Sequence, residues 1–156
     1  MNPNSPIYIV LLGLHFGSVT FGFGGVGLSG LYASRLSTGD PESIKYFSSR
    51  RIGPKVLVVV ALLFGLVLIA LSRHPLLFVD APWLRIAFIA YLIAATISGA
   101  LIWPIEATVR RLITTGNFEM TAEVRVAMKK ILRLSLIVDL AFSLALILMV
   151  TQPGHG

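Results

Sequence analysis

The chain has no cysteine. That excludes a disulfide scaffold, a thiol nucleophile and any thiolate-ligated metal or iron–sulfur site. Charge is also scarce: 13% of the 156 residues are charged, against about 25% in an average soluble domain. So little charge cannot cover a water-facing surface at this length, which excludes a soluble globular domain and a disordered chain. There are three histidines and seven acids. No nucleotide loop, nucleophile elbow, zinc motif or nucleic-acid module is found among them.

Apolar sequence fills the place of the missing charge. Hydrophobic residues make up 56% of the chain, and the mean hydropathy is +0.86. Four long runs separate the charges, over residues 6–34, 56–72, 86–105 and 134–150. A spanning helix needs about 20 apolar residues, with a range of roughly 17–25. The runs predict an all-α fold, a four-helix transmembrane bundle forming one domain over residues 1–156. The spans are expected near residues 7–34, 55–72, 85–105 and 134–151. The first run lacks the basic flank of a signal peptide and is too long for one, so it reads as a retained helix.

Basic residues set the orientation. The connection from Arg35 to Lys55 holds five, that from Glu106 to Arg133 six, and that from Arg73 to Arg85 two. Eleven against two predict that the first and third connections are cytoplasmic and that both termini lie outside, in the periplasm. The net charge of +6 is thereby explained by a lipid bilayer as partner, without nucleic acid. The cytoplasmic connections carry short helical extensions. Asp40-Pro41-Glu42 reads as a helix start, with Asp as N-cap and Pro in the first turn. That helix should run toward Arg51, where Gly53-Pro54 breaks it. The third helix should project through Arg111 and end at Thr115-Gly116-Asn117. The fourth should begin near residues 119–121, with Arg125, Lys129 and Arg133 facing lipid headgroups. On the outer side, a loop from His74-Pro75 to Pro82-Trp83 should dip into the interface with Trp83 as its anchor.

Three features are candidate sites. Gly13, Gly17, Thr20, Gly24 and Gly27 fall on one helix face. Such a face suits close helix packing, a homodimer contact, or a flat surface for a planar ligand. His15 is the histidine inside a span, some 13 Å deep at ~1.5 Å per residue. It should face the bundle interior, either hydrogen-bonded there or ligating a metal or haem iron. His74 and His155 lie at other depths, so a bis-histidine haem within one chain is not supported. Asp139 is the acid inside a span. It should lie about 8–10 Å from the depth of His15 and pair with Lys55, Arg51 or Arg35. Trp103-Pro104 closes the third run, where Pro104 should loosen the helix and Glu106 should pair with Arg110 at i+4.

Leu14-His15, Gly24-Gly25, Arg35, Gly39-Asp40, Gly65, Trp103-Pro104 and Leu148-Met149-Val150 with Pro153 together resemble a bacterial family of four-helix integral membrane proteins, a domain of unknown function. The resemblance implies the fold and no activity. The leading span is also distantly similar to copper-resistance D type membrane proteins and to the haem-containing protoporphyrinogen oxidase. Gly30-Leu31-Tyr32-Ala33-Ser34-Arg35-Leu36 is similar to a stretch after the first span of that oxidase, and the likeness implies His15 as a haem b ligand. The chain then departs from the oxidase: Ser37-Thr38-Gly39 replaces a histidine-bearing segment, and the third run holds no basic residue.

These features give three functional expectations. The first is an accessory or interaction subunit of the bacterial inner membrane, alone, as a homodimer or with a membrane protein partner. The second is a haem- or metal-binding redox protein using His15. The third is a small transporter subunit.

Overall fold

The structure, a computed structural model, describes residues 5–71, 81–115 and 120–151. Every regular element among them is helical. Helix α1 covers Pro6–Leu36. It starts where Ser5 Oγ accepts the Tyr8 N–H at 3.3 Å, with Pro6 in the first turn, where no N–H is needed. Gly39, at φ +76°, turns the chain out of α1 through a left-handed conformation that a side chain would disfavour. Asp40 then caps α2, Pro41–Ser48, as expected. Its carboxylate accepts the Ser43 N–H at 3.0 Å and the Ser43 hydroxyl at 2.6 Å.

Helix α3 is Gly53–Ala70. Gly53-Pro54 opens this helix instead of merely breaking the previous one, because proline fits a first turn. Helix α4, Pro82–Ile97, continues through a π-helical turn, Ser98–Ile102, into α5, Trp103–Thr114. The three form one 33-residue rod, Pro82–Thr114, so the third helix does project past Arg111. Pro104 explains the π turn. Its ring lacks an N–H and would press on the carbonyl four residues back, and the wider i→i+5 turn makes room. The Trp103 N–H bonds to the Ser98 carbonyl in that pattern. Helix α6, Ala122–Thr151, begins at Thr121, whose hydroxyl accepts the Val124 N–H at 3.3 Å.

Helix α1 packs between α3 and α6, α4 packs on α6, and α2 lies against α1 and α5. Glycine sets the closest of these approaches. A Cβ at Gly22 would stand 3.0 Å from the Val58 backbone nitrogen, and one at Gly30 would overlap the Ser135 hydroxyl. Phe23, 1% exposed, fills the bundle centre, edge-on to Tyr91 and stacked on Phe142, with both centroids at 5.4 Å. The outer surface is as apolar as the core: Phe21, Leu63, Ile89 and Leu140 are each more than half exposed. Such a surface needs lipid around it. Four helices are long and apolar enough to cross a membrane, so the chain is a multi-pass membrane protein. The eleven basic residues counted above fall on the stretches at the α2 end of the bundle.

One expectation changes here. Trp83 does not anchor outward. It is buried with Ala81 and Leu84 against Ile69, Leu148 and Met149, because the first turn of α4 faces the bundle. The loop from His74, the Gly116-Asn117 turn, Glu119 and His155 lie outside the described residues.

Candidate functional site

Helix α1 turns His15 toward α3. There its Nδ1 lies 2.8 Å from the Ala61 carbonyl oxygen. A carbonyl can only accept, so Nδ1 carries the proton and donates. Nε2 of the neutral ring is left as an acceptor or ligand. The ring fits because residue 65 is glycine: a Cβ there would come within 3.0 Å of His15 Cε1. One polar side chain thus bridges two helices, and its orientation is fixed by a backbone atom, which no surface substitution removes.

His15 lines a cleft of about 150 Å³ between α1, α3 and α4, with Leu62, Leu66, Trp83, Phe88 and Tyr91. A smaller void of about 20 Å³, lined by Phe16, Phe142 and Met149, reaches the histidine from the α6 side. Tyr91 is buried and gives its hydroxyl proton to the Val58 carbonyl, so that proton is committed within the bundle. The cleft is a mostly apolar hollow with the His15 ring able to bond at Nε2 and with Tyr8 in its wall. That is the usual make-up of a small-ligand site: apolar walls and few polar groups.

The volume limits the occupant. A cavity of ~150 Å³ holds a single benzene-sized ring. Among the described residues no group of three His, Asp or Glu side chains could hold a metal ion.

The other predicted residues sit elsewhere. Asp139 lies against Gly27, where a Cβ would be 3.1 Å from its Oδ1. That is some 18 Å along α1 from His15 at ~1.5 Å per residue, so the two are not brought together. Asp139 has no ion pair among the described residues. The bases expected to meet it are otherwise placed: Lys55 pairs with Glu106, Arg51 lies over Tyr46 and Arg35 is exposed. Glu106 also departs from its expected i+4 pairing with Arg110. It faces inward, 3.4 Å from Lys55 Nζ, and accepts from Ser29 Oγ at 2.5 Å.

The small-residue face of α1 is distributed differently from its spacing. A Cβ at Gly13, Gly17 or Gly24 would meet nothing within 4 Å, so these glycines do not pack inside the bundle. Gly22, Gly25 and Gly30 carry the packing instead, against Val58, Pro54 and Ser135. Tyr91, Trp83 and Ala61 were not singled out in the sequence as parts of a site, and Gly65 was noted only within a resemblance. A tyrosine inside an apolar run was the one available signal, since a buried hydroxyl needs a partner.

Comparisons with protein-family models, with curated proteins and with solved structures found no match.

Proposed function

We propose that this chain is a multi-pass protein of the bacterial inner membrane, with both termini outside. We propose that it acts as a non-enzymatic accessory subunit which binds a lipid-soluble, single-ring ligand at His15. The observation that carries this reading is the ring-sized cleft with its fixed histidine tautomer. An unprotonated Nε2 accepts a hydrogen bond, so the ligand of matching chemistry offers a ring hydroxyl, as a hydroquinone or phenol does. Orientation rests on the eleven basic residues of the α2 end, and the choice of membrane on the resemblance described above.

The chain has two tryptophans, and Trp83 lines this cleft while Trp103 lines a different hollow. In the Trp103→Phe protein, fluorescence therefore reports Trp83 alone. Titration of the detergent-purified protein with a short-chain benzohydroquinone should change that fluorescence saturably, and His15→Ala should weaken the response several-fold, up to about tenfold. A linear, unsaturable response, or one indifferent to His15, overturns the reading. A Soret band in the purified protein that disappears in His15→Ala replaces it with haem binding.

A further inference from the structure

A second hollow lies at the α2 end, between α1, α2, α3 and α5. Its volume is about 30 Å³, and its walls include Arg51, Lys55, Arg110, Glu106, Ser49 and Trp103. Three cations face one carboxylate, so positive charge is in excess. Two of the cations are held by neighbouring side chains. The Arg51 guanidinium lies 3.9 Å from the centroid of Tyr46 and its Nε donates to Ser49 Oγ at 3.3 Å. Lys55 Nζ is 5.3 Å from the Trp103 centroid and 3.4 Å from Glu106. Arg110 makes no ion pair among the described residues.

The floor of the hollow is a directed chain of hydrogen bonds. A carboxylate only accepts, so Ser29 donates to Glu106 at 2.5 Å. Ser29 Oγ can then accept from the Tyr46 hydroxyl at 2.8 Å. Burial, with the Glu106 charge adding to it, pushes the Tyr46 hydroxyl above its usual range, so it stays a donor. Glu106 is thereby neutralised from below, by Ser29 on one oxygen and Lys55 on the other. Its charge opposes an incoming anion less than a bare carboxylate would.

We propose that this hollow is a binding site for a single phosphate-bearing anion, held by Arg51, Lys55 and Arg110. The size decides the class. A volume of ~30 Å³ is room for two or so water-sized groups, which admits the oxygens of one phosphate while the rest of the molecule stays outside the hollow. Guanidinium forks match phosphate oxygens, and the lysine adds a point charge. The phosphate comes either from a lipid headgroup or from a soluble phosphate compound. Trp103 and Pro54 in the wall belong to helices that enter the bilayer, which places the hollow at headgroup level.

The test uses full-length protein carrying Trp83→Phe, so that Trp103 in the hollow is the sole indole. It is titrated separately with dihexanoyl phosphatidic acid, dihexanoyl phosphatidylcholine and inorganic phosphate. A saturable change with phosphatidic acid but not with phosphatidylcholine is expected, weakened at least about tenfold by Arg110→Gln and unchanged by Lys129→Gln. Arg110 holds no ion pair within the described bundle, so its loss leaves the fold intact. Saturation by inorganic phosphate at similar concentration supports the site and assigns it to soluble anions. No saturable response to either anion, or a response that Arg110→Gln leaves unchanged, overturns the proposal.

Discussion

Gly65 and His15 form a matched pair: the missing side chain of one is the space occupied by the ring of the other. Two opposing magnitudes decide what Gly65→Ala does. Alanine in a helix gains ~0.5–1 kcal/mol over glycine. The added Cβ, 3.0 Å from His15 Cε1, pushes the ring and strains a hydrogen bond worth ~0.5–1.5 kcal/mol. The two nearly cancel, so the thermal midpoint in detergent should move little. The Trp83 response to a hydroquinone should fall several-fold, because the ring has moved. A large loss of stability together with an unchanged titration would show that Gly65 serves packing alone. Neither partner was legible as a pair. They sit 50 positions apart in the sequence, and helical spacing relates residues only within one helix. The same limit explains Glu106, whose i+4 neighbour was visible while its true partners, Lys55 and Ser29, lie on other helices.

At the scale of the element, local chemistry was readable wherever it acts locally. Asp40-Pro41-Glu42 starts a helix because the cap, the ring and the acid all act within one turn. The projection of the third helix past Arg111 was readable too, since polar residues do not end a helix that leaves the bilayer. The π turn was legible in part: Pro104 announced a disturbance, though not its form. That turn makes a prediction. A π turn holds one residue more than an α turn, so deleting one residue inside Ser98–Ile102 should restore an α-helix without rotating α5. Leu101, 40% exposed, is the residue to remove. The Leu101 deletion should still fold and keep the Lys55–Glu106 pair, read as unchanged Trp103 emission, at a cost of about 3 kcal/mol in stability where the Pro104 ring again meets the carbonyl four residues back. Deleting Ala95 from regular α4 should instead rotate α5 by ~100° and unfold the protein in detergent. Equal damage from both deletions would show that the π turn is not a register device.

The whole molecule has two chemically distinct ends. One carries α2, the α5 extension and eleven basic residues. The other carries the His15 cleft, the start of α1 and the end of α6. This asymmetry was readable from charge counts alone, because the bias of basic loops acts on whole connections and needs no tertiary detail. Its consequence can be measured directly, since a chain without cysteine accepts single reporters against a blank background. Thr38 and Thr151 are both exposed, one in the turn before α2 and the other at the end of α6. With both termini outside, Thr151→Cys in intact cells should react with a membrane-impermeant maleimide. Thr38→Cys should react only after the membrane is opened. The reverse pattern would put the basic end outside, against a bias of eleven to two. It would then place the phosphate-binding hollow on the periplasmic face and the His15 cleft toward the cytoplasm. Labelling both sites in intact cells would indicate mixed insertion, and reversing the charge of Arg125, Lys129 and Arg133 should increase that mixture if those residues hold the chain in place.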